Sequence, residues 1–187
     1  MKQEIRTERL CLRKQLTNDF EILYKKYFSN PAVCQYLQRM PHKSARESEE
    51  LLNKWCNQAW SNHEDSFSWV ISLSENRAPI GMFTVILEGH KAQIHFGISH
   101  AYWGKGLMTE GVSAVIKHLF VYSSLERIWT LCDRDNVSSQ KVLLKSGMMF
   151  EDELKKWLKL PYFNHQSRDC LIYAITDDLF NSVADYY

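Results

Sequence analysis

Apolar and polar residues alternate through Arg9-Leu10-Cys11-Leu12-Arg13, the period of a strand with one buried face. The period then lengthens. Phe20, Leu23, Tyr24 and Tyr27 recur at three- and four-residue intervals behind Asn18, a candidate helix cap, and Pro31 closes the pattern. Ser44-Ala45-Arg46-Glu47 has the form of a capping box, and Leu51, Leu52, Trp55 and Trp60 follow at helical spacing up to Ser61 or Asn62. Phe67 to Leu73 and Ile80 to Leu87 are rich in β-branched and aromatic residues. The turn Asn76-Arg77-Ala78-Pro79 between them predicts an antiparallel pair. Gln93 to Ser99 is a further strand, with Gly97 marking a bulge or a close backbone approach.

Met108, Val112, Val115, Leu119 and Tyr122 share one face of a helix of about four turns. Arg127 to Cys132 predicts a strand. The Asp135-Asn136 region caps a short helix that bears Val142 and Leu143 and ends at Gly147. Met148 to Lys155 and Cys170 to Ile175 supply two last strands. The loop Pro161-Tyr162-Phe163-Asn164-His165 between them reads as a hairpin connection or as a binding rim. Strand, helix, strand, helix in this order predicts a crossover layered on a sheet, hence an α/β (α+β) class.

Composition narrows the function classes. The 187 residues, 45% hydrophobic, are the length of one ample domain, and the expectation is a single domain over 1–187. A net charge of +1 with both signs mixed gives no global field for nucleic acid or an anionic membrane, so any phosphate recognition is local. Met1 to Leu10 has no apolar signal core and no later run is long enough to span a bilayer, which predicts a cytoplasmic protein. Cys11, Cys34, Cys56, Cys132 and Cys170 are odd in number and scattered, a pattern of reduced thiols that suggests neither disulfides nor a metal site.

The candidate chemistry sits at Tyr102-Trp103-Gly104-Lys105-Gly106-Leu107-Met108-Thr109, where two of the 7 glycines stand one residue apart between a strand and a helix. Glycine takes positive φ, so successive N–H groups can turn toward one point, and the following helix adds its positive end. That combination makes an anion cradle, although G-x-G also marks ordinary tight turns. A nucleotide-binding P-loop is a poor match, because Gly104-Lys105-Gly106-Leu107 lacks the four-residue gap and the Lys-Ser/Thr pair.

Mixed strands around a glycine-turned helix, then Asn136-Val137-Ser138-Ser139 and Lys145-Ser146-Gly147-Met148, resemble the GNAT superfamily of acetyl-CoA-dependent N-acetyltransferases. The opening Thr7-Glu8-Arg9-Leu10-Cys11-Leu12-Arg13 resembles the start of its RimJ/RimL-like branch. The resemblance implies a mixed, mostly antiparallel sheet of about seven strands, splayed in the middle and flanked by about four helices. It implies a pyrophosphate loop over Trp103, Gly104, Lys105, Gly106, Leu107, Met108 and Thr109. Trp103 replaces the usual Gln or Arg, and Met108 replaces a small residue. Main-chain donors survive both changes, provided the Met108 side chain faces the core. Phe96, Gly97 and Ile98 occupy the place where a bulged strand pairs with the pantetheine arm and one N–H stabilises the thioester oxyanion. The alternative is that Gly97 relieves packing against an aromatic neighbour.

Asn136 and Ser139 reproduce the branch's N-x-x-S spacing, which places both on one face of a first helical turn. By resemblance Ser139 donates a proton to the departing thiolate and Asn136 orients the pantetheine or the acceptor; capping is the competing role for both. The general base is less legible. The usual strand carboxylate falls at Gln93 and the acid proposed in RimL-like enzymes at Leu158, which leaves His95 as the best suited substitute, with Glu88 and Asp133 behind it. His95 is otherwise a structural histidine, and Glu151 is read as structural.

The implied activity is direct transfer of an acetyl group from acetyl-CoA to an amine, without an acyl-enzyme, since no cysteine lies in a nucleophile motif. The acceptor is a protein N-terminus or a small-molecule amine. The competing function is a CoA-binding sensor module that has lost turnover. Exposed aromatic strands and Tyr186-Tyr187 permit a homodimer.

Overall fold

The computed structural model describes residues 3–184, so Tyr186 and Tyr187 lie outside the described residues. Strands β1 (Ile5–Arg6), β2 (Leu10–Arg13), β3 (Ser66–Leu73), β4 (Pro79–Glu88) and β5 (Lys91–Ile98) form one antiparallel run. Among the described residues they join β6 (Arg127–Asp133), β7 (Met149–Lys159) and β8 (Ser167–Thr176) in an 8-stranded sheet of order β1-β2-β3-β4-β5-β6-β8-β7. The expectation of about seven strands misses only β1, two residues too short to show a period.

Helix α1 (Asp19–Leu23) runs on into a π-helical turn over Tyr24–Phe28. Asn18 makes no side-chain cap there; the neighbouring Asp19 carboxylate accepts the Leu16 N–H at 2.7 Å instead. Asp19 is also the bidentate partner of Arg13, at 2.6 and 3.1 Å, in an ion pair with 3% and 5% of its side chains exposed. A buried charge pair of this kind survives because further partners engage the guanidinium, here the carbonyls of Lys14 and Arg77. Pro31 does not merely close a helix but opens a second one, α2 (Pro31–Cys34), with Asn30 capping the Ala32 N–H. Proline suits that first position because its φ is already helical and no N–H is lost.

Helix α3 (Ala45–Leu52), capped by Ser44 as expected, continues through a π segment (Asn53–Gln58) into α4 (Ala59–Ser61). Helix α5 (Leu107–Tyr122) buries Met108, Val112, Val115 and Leu119 and leaves Tyr122 at the surface. Then come α6 (Val137–Lys145), ended at Gly147 with φ 88°, and α7 (Asp177–Ala184), which the sequence reading did not anticipate. The main core lies between the sheet and α5; Leu23, Tyr27, Phe28, Leu52 and Val70 form a second cluster under α1 and α3.

The crossover β5–α5–β6 makes the one parallel pairing of the sheet among the described residues, and it is short. Lys91, Ala92 and Gln93 pair with Arg127, Ile128 and Trp129. Beyond them the Thr130 hydroxyl still reaches the Ile94 carbonyl at 2.6 Å, and then the strands part. The sheet is splayed in the middle, as the resemblance implies, but no bulge does it. Gly97 sits in unbroken register opposite Met82.

Candidate active site

The splay opens a cleft of about 620 Å³. Phe96, Gly97 and Ile98 line it from β5, and Trp103, Gly104, Gly106, Leu107, Met108 and Thr109 from the turn and α5. Asn136 and Ser139 line it from the start of α6. Every predicted cofactor residue except Lys105 therefore meets at one opening. Lys105 turns outward, its ammonium 5.3 Å from the Tyr102 ring centre, while its backbone remains part of the turn.

Gly104 and Gly106 both have φ of 74°, the left-handed region that costs other residues about 1–2 kcal/mol. The turn ends on Gly106, whose carbonyl accepts the Glu110 N–H at 3.1 Å and starts the α5 ladder. Among the described residues, the N–H groups of Gly104 through Thr109 have no protein acceptor. Orphan donors of this kind at a helix start need an anion or water. The Met108 side chain is buried in the core, so its bulk does not compete for the cleft.

Gly97 answers to packing. A Cβ placed there would come within 2.6 Å of the Tyr27 hydroxyl, so a larger residue would require the buried Tyr27 ring to shift. Gly81, which the sequence reading passed over, is more constrained still: its Cβ would stand 2.1 Å from the Gly97 carbonyl.

At α6, the Asn136 side chain accepts the Ser139 N–H at 3.2 Å, so the capping role belongs to Asn136. The Ser139 hydroxyl has no protein partner among the described residues and borders the cleft. Lys141 and Lys145 also border it, one helical turn apart, and neither forms an ion pair among the described residues. Their spacing is visible in the sequence, but only the docking of α6 turns that face to the cleft.

The base candidates separate. Asp133 is tied to Arg168 by two bonds of 2.9 Å and also accepts the Asp135 N–H, so it serves as a structural carboxylate. Glu88 pairs with Lys91 at the far hairpin, about 20 Å along the strand from Gly97. Glu151 is paired with Arg127, in line with a structural role. His95 does not line the cleft. It shares the strand face of Gly97, solvent-accessible yet set among enough protein to lower its pKa by desolvation. It is therefore neutral near pH 7.

The rim is aromatic. Phe163, from the β7–β8 connection, lies 4.3 Å beneath the Arg168 guanidinium, and its ring centre is 5.9 Å from that of Tyr36. Tyr36 lines the cleft and donates to the Asp135 carbonyl at 3.4 Å, linking the helical layer to the start of α6. The loop around Phe163 is thus a hairpin connection, and one of its rings is part of the cleft wall's support.

A family model described as "Acetyltransferase (GNAT) domain" matches residues 9–149. This chain belongs to the GNAT acetyltransferase family. It is 26% identical over 174 residues to the uncharacterized N-acetyltransferase YoaA of Bacillus subtilis (strain 168), with 91% of this chain and 95% of that protein covered. It is similar to the crystal structure of a GNAT-family acetyltransferase from Bacillus anthracis, with TM-score 0.81, 25% identity and coverage of 94% and 99%. It shares its fold with RimL, a ribosomal L7/L12 alpha-N-protein acetyltransferase solved in complex with coenzyme A, with TM-score 0.80, 19% identity and coverage of 94% and 99%. The eight-stranded splayed sheet is the GNAT architecture.

Proposed function

We propose that this GNAT chain is an acetyl-CoA-dependent N-acetyltransferase that works as one domain in the cytoplasm. It transfers the acetyl group to a primary amine in a ternary complex, after the manner of the RimJ/RimL-like branch. The row of N–H groups from Gly104 to Thr109, unpaired among the described residues at the start of α5 beside the cleft, carries the reading, since free donors at a helix start favour an anion such as a diphosphate. Bound acetyl-CoA supplies the activated thioester. On the half of β5 that β6 leaves unpaired, Phe96 and the Ile98 N–H face the open side and offer backbone groups to its pantetheine arm, while the Ile98 carbonyl accepts the Trp103 indole N–H at 2.9 Å and Gly97 pairs with Met82 on the β4 side. The Ser139 hydroxyl is free to give a proton to a leaving thiolate; His95 stands outside the cleft lining, so as the remaining base candidate it would take a proton from an ammonium acceptor only through water.

Direct transfer is favoured over a cysteine acyl-enzyme. All five cysteines are buried, none borders the cleft, and burial pushes the Cys132 and Cys170 thiols up to about 12 and about 11. The acceptor we propose is a protein N-terminus or a small-molecule amine; the Asp135 carboxylate at the rim is already paired with Arg168 at 2.5 Å. The alternative, a CoA-binding module without turnover, draws support from Gln93 and Leu158 at the usual acid positions and from the locked Asp133.

Calorimetry with acetyl-CoA, followed by thiol release over a panel of N-terminal peptides, amino acids, polyamines and aminoglycosides, tests both. Binding with release for one acceptor class is expected. Binding with no release across the panel would leave the module, and no binding at all would remove both.

A further inference from the structure

Glu110 poses a problem for an anion site. It stands in the first turn of α5, where its negative charge competes with a bound phosphate for the positive end of the helix. Its neighbours engage it fully. One carboxylate oxygen accepts the Thr7 hydroxyl at 2.5 Å and the Arg9 N–H at 2.9 Å; the other accepts Arg9 Nε at 2.6 Å. Burial pulls the Glu110 pKa upward, but these hydrogen bonds and the Arg9 charge outweigh it and hold the group below its ordinary value.

The same guanidinium does something else. Arg9 Nη1 donates to the Lys105 carbonyl at 3.0 Å. Because a trans peptide is planar, fixing that carbonyl fixes the Gly106 N–H in the opposite direction. Glycine at 104 and 106 leaves the turn free to rotate, so an external hold is needed if the donors are to stay converged. Arg9 reaches two acceptors at once because its donors form a rigid fork. Its Nη2 has no protein partner among the described residues and lies 3.6 Å from the place a Cβ would take on Gly106.

We infer that Arg9, assisted by Thr7, is a positioning residue for the diphosphate turn. From the entry to β2 it offsets the Glu110 charge and clamps the Lys105 carbonyl so that the turn's N–H groups are preset for the cofactor. This inference rests on the acetyl-CoA reading above.

The test compares wild type with Arg9→Met, Arg9→Lys, Thr7→Val and the double variant Arg9→Met/Glu110→Gln, using calorimetric Kd, steady-state kinetics and melting temperature. For folded Arg9→Met, the Kd and KM for acetyl-CoA should rise about tenfold or more, the factor set by losing a charge-assisted hydrogen bond. The kcat and the KM for the amine should stay near wild type, a split that general loosening of the fold would not give. Lysine keeps the charge but not the fork, so Arg9→Lys should remain weak, and the double variant should not recover. Wild-type Kd in Arg9→Met overturns the inference. Full recovery in Arg9→Lys or in the double variant overturns the clamp and leaves charge balance alone. If Arg9→Met does not fold, Arg9→Lys and Thr7→Val decide: weakened binding in both supports the clamp, and wild-type binding in both ends it. A wild-type protein that fails to bind acetyl-CoA sinks the functional reading and this one with it.

Discussion

At the scale of single residues, Asn136 and Ser139 divide a motif that the sequence could not divide. The Asn136 side chain holds the Ser139 N–H, which is a cap and therefore a stability term; the Ser139 hydroxyl is left over. Asn136→Ala should cost about 1 kcal/mol of stability, read by chemical denaturation. Ser139→Ala should leave the melting temperature unchanged and lower kcat about 10²-fold or more, the usual scale for a positioned acid, with little change in acetyl-CoA affinity. Wild-type turnover in Ser139→Ala would reduce that serine to a wall of the cleft. The motif's residue types and spacing were legible in advance, because residues three apart share a helical face. Which atom does which task was not, because it depends on the rotamers set by packing α6 against α5, where the Ser146 hydroxyl meets the Thr109 carbonyl at 3.3 Å.

At the scale of elements, the cleft-lining end of β5 is set by how closely β4 approaches it. Gly81 faces Ile98 in the ladder, and a methyl group there would meet the Gly97 carbonyl and the Ile98 Cα at 2.1 and 2.8 Å. Backbone cannot move aside as a flexible side chain does. Gly81→Ala should therefore destabilise the fold by about 1–3 kcal/mol, the usual cost of overpacking. By displacing Gly97 it should also weaken acetyl-CoA binding. Denaturation midpoints and calorimetry check the two parts, and an affinity that survives the destabilisation would separate the β4–β5 contact from the cleft. Most strands and the long helix were legible from their periods. The π turns at Tyr24–Phe28 and Asn53–Gln58 were not, since apolar spacing of three and four is the same on either side of an inserted residue. The β7 extension to Lys159 was hidden by the irregular register between Leu154 and Leu158, which breaks the alternation a strand reading needs.

At the scale of the whole molecule, stability should be bounded on both sides of neutrality. His42 is stacked on Phe28, bonded to Ser48 at 2.8 Å and lowered in pKa, chiefly by burial. Below about pH 6.5 the unfolded chain takes up a proton that folded His42 resists. Stability therefore falls as pH drops, and His95 adds to the same limb. At the other end, burial raises the Cys132 and Cys170 thiols to about 12 and about 11. Above about pH 8.5 the unfolded thiols ionise first, so stability falls again. Denaturation midpoints across pH should show a plateau between those limits. His42→Gln should flatten the acid limb, and an unchanged slope would remove His42 from it.

The sequence by itself determined the period of most strands and helices, the crossover that makes a parallel pair, the glycine turn at 104–106 and the family whose pattern these follow. Those are local properties, carried by side-chain spacing and by the backbone freedom of glycine. Only the tertiary structure decided that Gly97 is small because Tyr27 lies on it, that Asp133 belongs to Arg168, and that Arg9, 96 residues from Lys105, holds the turn. Such partners are chosen by chain folding between distant segments, and spacing along one strand or helix carries no record of what will be packed across from it.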